Sequence, residues 1–432
     1  MFGWRRRKAE GKKQDGSHEK QLEIPKHFRC PISLDLMKDP VTLSSGVTYD
    51  RESIETWLEA GNFTCPVTEQ VLRSFDQIPN HTLRKMIQEW CVENRNYGVE
   101  RIPTPRIPVD SVEVSEVLLE ITASKNRLDQ VGCLESVEKI KNWGVESERN
   151  RRCIAENGTV PVLTAAFHAF ATDSFEKNAN LLEEILSVMN WMYPLDVESM
   201  TNLGSHSSLC SLVWLLKCRD VSAKQNAMIA LKELLCSDQQ FAESLAAIDE
   251  AKEILFKFIK DPISPSITKA SLTVIFHLVS SPHEKIKSEF VKMGLVSPVL
   301  EIIMESEKSM CEKALGVLHE LCHTKEGREE AYENALTIPV LVKKILRVSE
   351  LATDYSVSTI WKLSKLETKF EERVLIEALQ VGAFQKLLLL LQVGCGDDTK
   401  EKATELLKLL NPYRAGLECI DSVDFKNLKR SF

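Results

Sequence analysis

A short phrase of sequence returns every forty-odd residues through the C-terminal half of this chain, and that return limits the fold more than any other feature. Blocks of an alanine or serine followed by apolar residues at helical spacing open at 227, 270, 314, 356 and 403, which lie 43, 44, 42 and 47 residues apart. Two of them run Ala314-Leu315-Gly316-Val317-Leu318-His319-Glu320-Leu321 and Ala403-Thr404-Glu405-Leu406-Leu407-Lys408-Leu409-Leu410. A second phrase keeps the same rhythm, as Asn157-Gly158-Thr159-Val160-Pro161-Val162-Leu163, Met293-Gly294-Leu295-Val296-Ser297-Pro298 and Leu336-Thr337-Ile338-Pro339-Val340-Leu341. In such a phrase a small residue stops one helix and a first-turn proline starts the next. A unit of this size cannot bury its own apolar face. Stacked neighbours can, and they then share one continuous core with a long open surface.

The period falls in the range of armadillo and HEAT repeats. The Gly-x-x-Pro-x-Leu phrase followed by a later Ala-x-x-x-Leu helix resembles armadillo repeats in particular. The reading is therefore a mostly α protein, with an armadillo-type α-solenoid over residues 113–412. The phrase is lost between 165 and 210, where Trp191, Met192, Tyr193 and Pro194 interrupt it. Residues 413–432, with Tyr413, Leu417, Ile420, Phe425 and Leu428, read as a tail or as a cap over the last repeat.

The N-terminal hundred residues follow other rules. Residues 1–22 are basic and read as a disordered tail, and 98–112 form a linker in which Pro103, Pro105 and Pro108 forbid helix. Thr104, before Pro105, is a candidate phosphosite for a proline-directed kinase. Between them lies a small α+β domain, residues 23–97. Val41-Thr42-Leu43 and Val47-Thr48-Tyr49 flank Ser44-Ser45-Gly46 and predict a hairpin. Asp50 suits the N-cap of a helix carrying Ile54, Trp57 and Leu58, and Gly61 suits its end. Asn80 suits the cap of a second helix, whose apolar stripe is Leu83, Met86, Ile87, Trp90 and Cys91.

The motif order in this domain is that of a RING finger without its metal. A RING needs eight zinc ligands in paired spacings. Residues 24–93 offer Cys30, Cys65, Cys91, His27 and His81, with no C-x-x-C pair. The run Cys30-Pro31-Ile32-Ser33-Leu34-Asp35, then Gly46-Val47-Thr48-Tyr49-Asp50-Arg51, Cys65-Pro66-Val67-Thr68 and Ile78-Pro79-Asn80 resembles the U-box, the metal-free relative of the RING that recruits ubiquitin-conjugating enzymes. The resemblance implies a docking surface made by Ile32 and Leu34 in a first loop, Trp57 on the central helix and Pro66 in a second loop. Ile32 and Leu34, two apart, point the same way if the backbone is extended. It also implies that polar residues replace the zincs, and Asp35, Asp39, Tyr49, Asp50, Arg51, Thr68 and Asn80 are the candidates. Glu69 departs from the pattern. Many U-boxes carry there a basic residue that donates hydrogen bonds to the conjugating enzyme and to ubiquitin, and a carboxylate cannot donate.

A U-box followed by armadillo repeats resembles a plant family of ubiquitin-protein ligases. The resemblance implies partners: a ubiquitin-charged conjugating enzyme on the U-box and a protein substrate in the repeat groove, with a homodimer left open. It implies direct transfer with no catalytic residue on the ligase itself, neither cofactor nor metal, and an association with immune or stress signalling. The alternative is a non-catalytic armadillo scaffold with a weakly activating U-box, consistent with Glu69. Other classes find less support. A net charge of −8 argues against general nucleic-acid affinity. No long apolar span suggests an integral membrane segment. Twelve scattered cysteines without a secretory signal predict a reducing compartment, cytoplasm with access to the nucleus. The motif reading assigns the chain no Gly-rich phosphate loop, no H-E-x-x-H and no Gly-x-Ser-x-Gly. His168, His277, His319 and His323 lie in amphipathic stretches and read as core or surface histidines.

Overall fold

The structure is a computed structural model, and it describes residues 24–102, 109–218, 220–365 and 368–416. The basic tail, the linker prolines, Thr104 and the residues from 417 onward lie outside the described residues. The chain divides into two compact units, residues 1–107 and 108–432.

The first unit has the hairpin that the sequence predicts, and one strand more. β1 (Pro40–Thr42) pairs antiparallel with β2 (Thr48–Asp50), setting Val41 opposite Tyr49. Gly46 turns the chain with φ of +78°, and its N–H donates to the Leu43 carbonyl at 2.9 Å. Only glycine adopts that backbone without strain. β3 (Ile78–Pro79) pairs with the other edge of β1, in the order β2-β1-β3. Two residues are too short a run for periodicity to reveal. Helix α1 (Arg51–Glu59) follows β2 directly and buries Ile54. Helix α2 (His81–Glu93) is capped by the Asn80 side chain, which accepts from the Leu83 N–H at 3.0 Å. These elements close on a core of Phe28, Met37, Val41, Tyr49, Ile54 and Ile87, joined by Ile102 from beyond α2.

Two expectations for this unit change. Asp50 stands at the N-cap of α1 but makes no capping bond to it. On α2, Ile87 and Cys91 are buried, whereas Met86 is 45% exposed and Arg84 is buried in its place. The buried face of α2 is turned toward Asp39, whose carboxylate lies 3.6 Å from the Arg84 guanidinium.

The second unit is built of helices in threes. The triplet Glu284–Lys292, Val296–Glu305 and Lys308–Leu321 is followed by Lys325–Glu333, Thr337–Lys344 and Glu350–Leu363, then by Thr368–Gln380, Ala383–Val393 and Asp397–Leu410. Going backward, the same triplet appears as Gln240–Ala246, Ala251–Lys260 and Pro265–Val279, as Val197–Leu203, His206–Leu215 and Val221–Ser237, and as Glu148–Glu156, Thr159–Ser174 and Ala179–Met189. Two helices, Ser111–Arg127 and Gln130–Glu146, lead in, the first opened by an Asp110/Glu113 capping box.

Each third helix packs on the third helix of the next triplet. The alanines that open the sequence blocks face that contact: Ala227, Ala314 and Ala403 are fully buried. Ser356 takes alanine's place in one block, buried, with its hydroxyl donating to the Ala352 carbonyl at 2.7 Å. Gly158, Gly294 and Gly382, the stops of the second phrase, all have positive φ just before the second helices. One core runs through the whole unit. The triplets continue across 165–210, where the sequence phrase is lost. There the close approach is made differently: the Trp191 ring fills the space over Gly144, 2.7 Å from where a Cβ would stand, and Arg151 stacks on it at 5.7 Å.

Candidate functional site

The candidate surface is built by two copies of one small turn. Cys30-Pro31-Ile32-Ser33-Leu34-Asp35 and Cys65-Pro66-Val67-Thr68-Glu69-Gln70 share the pattern Cys-Pro-apolar-hydroxyl. In the first, the Leu34 N–H donates to the Cys30 carbonyl at 2.9 Å and the Cys30 N–H to the Asp35 carbonyl at 2.8 Å. In the second, the Glu69 N–H donates to the Cys65 carbonyl at 2.8 Å and the Cys65 N–H to the Gln70 carbonyl at 2.9 Å. Leu34 and Glu69 stand at the same position and share a left-handed backbone, with φ of +62° and +57°. Single bridges, Arg29 to Leu36 and Thr64 to Val71, close the two bases.

This geometry corrects one expectation. Ile32 and Leu34 do not share a face of extended chain, because the segment is a tight turn. Ile32 is half-buried against the core, and Leu34 projects from the tip with 67% of its surface exposed. Pro66 is half-buried in the second turn, beside the exposed Val67 and Glu69. Val67 is the counterpart of Ile32, and the sequence reading passed over it. The repeated Cys-Pro pair was the signal that could have found it. Trp57 is half-buried, and its indole N–H donates to the Thr64 carbonyl at 2.9 Å, so it fastens α1 to the second turn as well as offering a ring edge to solvent.

Strand β2 ties both turns to the body. The Tyr49 hydroxyl lies 3.0 Å from the Cys65 sulfur and accepts from the Val67 N–H at 3.3 Å. The next residue, Asp50, donates its N–H to the Cys30 sulfur at 3.3 Å. Its carboxylate accepts from the N–H groups of Lys38 and Asp39, both at 2.8 Å, which is why it is not available to cap α1. Asp39 holds Arg51 at 2.6 Å, and Arg51 reaches on to Gln77 at 3.2 Å. The Asn80 amide donates to Thr42 and Thr48, whose hydroxyls lie 2.8 Å apart. Of the seven predicted polar ties, Asp39, Tyr49, Asp50, Arg51 and Asn80 join through side-chain atoms. Thr68 joins by facing the Cys65 sulfur with its hydroxyl and amide. Asp35 does not join by its side chain: it is exposed and contributes only its backbone carbonyl. Arg84, Gln77, Cys30 and Cys65 are members that the sequence did not reveal.

The electrostatics follow from burial and donors. Burial pushes the Tyr49 hydroxyl up, so it keeps its proton and points it at sulfur. Burial also raises Asp50, against the two amides that pull it down. Burial alone would raise Cys65, but donors from Ser45, Thr68 and Tyr49 outweigh it and bring the thiol down to about 6. The two sulfurs therefore act as hydrogen-bond acceptors at the bases of the two turns.

One possible metal group lies elsewhere. His319, Glu320 and His323 carry the H-E-x-x-H spacing, which the sequence reading missed among the repeats, and their ligand atoms lie within 4.8 Å of one another. Among the described residues no single helix is long and apolar enough to cross a membrane.

Comparison with known proteins gives two family matches. The family described as U-box domain matches residues 24–96, and the family described as plant U-box protein ARM repeat region matches residues 113–430. U-box domain-containing protein 21 of Arabidopsis thaliana is 47% identical over 100% of both chains. U-box domain-containing protein 20 of the same plant is 46% identical, over 96% of this chain and 94% of its own length. E3 ubiquitin-protein ligase PUB22, also of Arabidopsis thaliana, is 35% identical, over 90% of this chain and 95% of its own length.

Proposed function

The chain belongs to the plant family of U-box proteins with armadillo repeats, and from that premise we propose that it is a ubiquitin-protein ligase. The observation that carries the proposal is the pair of matching Cys-Pro turns with exposed Leu34 and Val67 beside half-buried Trp57, tied to strand β2 by hydrogen bonds. Two relatives named as E3 ubiquitin-protein ligases are 35% and 36% identical over 90% and 91% of this chain. A small surface of exposed apolar anchors suits the brief docking of a conjugating enzyme.

In the proposed reaction the ligase forms no covalent intermediate. The substrate lysine amine attacks the thioester carbonyl that joins ubiquitin to the conjugating enzyme. An isopeptide bond forms, the carbon–sulfur bond breaks, and the conjugating enzyme regains its thiol. The U-box contributes proximity, together with a shift of the mobile ubiquitin toward its reactive arrangement. The armadillo unit holds the substrate, in the cytoplasm with access to the nucleus, in immune or stress signalling. Reconstitution with purified activating enzyme, conjugating enzyme and ubiquitin tests the reading. Autoubiquitination is expected, and Ile32→Ala or Trp57→Ala is expected to abolish it. A chain that binds a conjugating enzyme yet forms no conjugates under any pairing would favour the scaffold reading, which the exposed carboxylate of Glu69 supports.

A further inference from the structure

The H-E-x-x-H spacing at residues 319–323 takes no part in the proposed transfer, and its surroundings are unusual for a repeat helix. His319 lies in the last turn of the helix Lys308–Leu321, and His323 lies just past its end. Their rings meet edge to face at 5.0 Å. With Glu320 they make the one group of three His, Cys, Asp or Glu residues at metal-like spacing among the described residues. A lysine amine already stands among them. Lys362, from the third helix of the next repeat, places Nζ 2.9 and 3.0 Å from the two nitrogens of His323, 3.1 and 3.4 Å from those of His319, and 3.0 Å from the His319 carbonyl. The Glu320 carboxylate holds Lys287 at 3.1 Å and lies 3.4 Å from His323 Nδ1.

We propose that His319, Glu320 and His323 form a binding site for a divalent transition metal of the zinc class, in which the Lys362 amine occupies the ion's place until the metal displaces it. Two imidazoles and a carboxylate are donors that zinc accepts, at about 2.0–2.2 Å. Calcium and magnesium prefer sets made of oxygen. Lys362 sits about equally far from both nitrogens of each ring, so neither ring yet aims one nitrogen at a common point. Ring rotation supplies that aim once the lysine leaves. Lys287 holds the same Glu320 oxygen that faces His323, which leaves the other carboxylate oxygen for the ion. The pairs Cys236 with His277 at 3.5 Å and Cys210 with His206 at 3.6 Å bring two donors each and lack a third. Glu320 is committed as a ligand and to Lys287, so the site is one of binding and not of hydrolysis.

The full-length protein is titrated with zinc by calorimetry and with cobalt(II) by visible absorption, with circular dichroism reporting the fold of every variant. One equivalent is expected to bind. His323→Ala, which alters a side chain 43% exposed, is expected to weaken it by about tenfold or more. Lys362→Met is expected to tighten it, because the competing amine is gone. Lack of saturable one-equivalent binding by the unaltered protein, an unchanged affinity in folded His323→Ala, or no tightening in Lys362→Met overturns the proposal.

Discussion

Tyr49 does for this fold what a zinc ion does for a RING, and at the scale of single residues it is the position to disturb. Its ring is fully buried, and its hydroxyl serves both the Cys65 sulfur and the Val67 N–H. Tyr49→Phe keeps the ring and removes the hydroxyl's bonds to the buried Cys65 sulfur and the Val67 N–H, at a cost of about 1–3 kcal/mol. The expected outcome is a urea midpoint lowered for residues 24–102, with the second turn loosened and ubiquitin transfer slowed. Asp50 makes a contrasting case. Burial holds its carboxyl above the usual carboxylate range, so its charge opposes folding at neutral pH. Asp50→Asn keeps an oxygen for the amides of Lys38 and Asp39 and drops the charge, so it is expected to equal or exceed the parent in stability at pH 7. The sign follows from the raised value: that advantage is present above the folded carboxyl's titration and vanishes as pH falls below the ordinary carboxylate value, where the parent is neutral too. Urea titrations at pH 7 and pH 3.5 check it; an Asn advantage that grows toward acid would refute the assignment. Under the proposed function, Glu69 is the position at which activation would be tuned. Its N–H is spent on the Cys65 carbonyl, while its side chain is exposed at the turn tip. Glu69→Arg places a donor there and is expected to speed lysine discharge from a charged conjugating enzyme by roughly tenfold, the equivalent of about 1.4 kcal/mol. Single-turnover discharge showing no gain removes the idea.

At the scale of elements, legibility tracked how much of a signal was repeated. The third helices of the solenoid were plain because Ala227, Ala314 and Ala403 recur at one period and all are buried. The triplets between 148 and 215 were obscured because Trp191 over Gly144 replaces the small-residue contact. In the first unit the hairpin and both helices were legible from turn and cap residues, but β3 was too short to show. The Ile32 and Leu34 geometry was misread because alternation was assumed where a left-handed Leu34 turns the chain. The polar network was readable as a set of residue types. Its pairings were not, since Asp50 reaches back to Lys38 and Asp39 across the hairpin. Between repeats, Gly327 is a junction that only the structure exposes. A Cβ there would lie 2.1 Å from the Leu321 carbonyl oxygen, and the Gly327 N–H donates at 3.1 Å to the Thr324 hydroxyl that caps the helix. Gly327→Ala is expected to shift the helix Lys325–Glu333 and cost about 1–3 kcal/mol, read as a lower thermal midpoint of the full chain. An unchanged midpoint would mean that the backbone gives way there freely.

For the whole molecule, the division at residue 107 separates two ways of making a stable body. The solenoid is held by a core that runs unbroken from repeat to repeat, so its stability grows with nearest-neighbour contacts. The first unit is too small to rely on its core alone, and a domain of its size is only marginally stable without ties. Those ties are hydrogen bonds and an ion pair: Arg51 to Asp39, Arg84 paired with Asp39, amides to Asp50, and donors to the sulfurs of Cys30 and Cys65. Among the described residues of the first unit, no three His, Cys, Asp or Glu side chains come together at metal-like spacing. Chelation should therefore leave docking untouched even though the repeat unit carries a His319-Glu320-His323 group of metal-binding chemistry. The measurement uses a conjugating enzyme charged beforehand, so that the magnesium needed for activation is no longer required. Discharge to lysine stimulated by the full chain is expected to proceed at the same rate with and without EDTA and phenanthroline, whereas a zinc RING ligase run in parallel loses its stimulation. A chain that loses stimulation with the chelators and regains it with zinc would show that the first unit holds a metal, and that the hydrogen-bonded sulfurs are not its substitute.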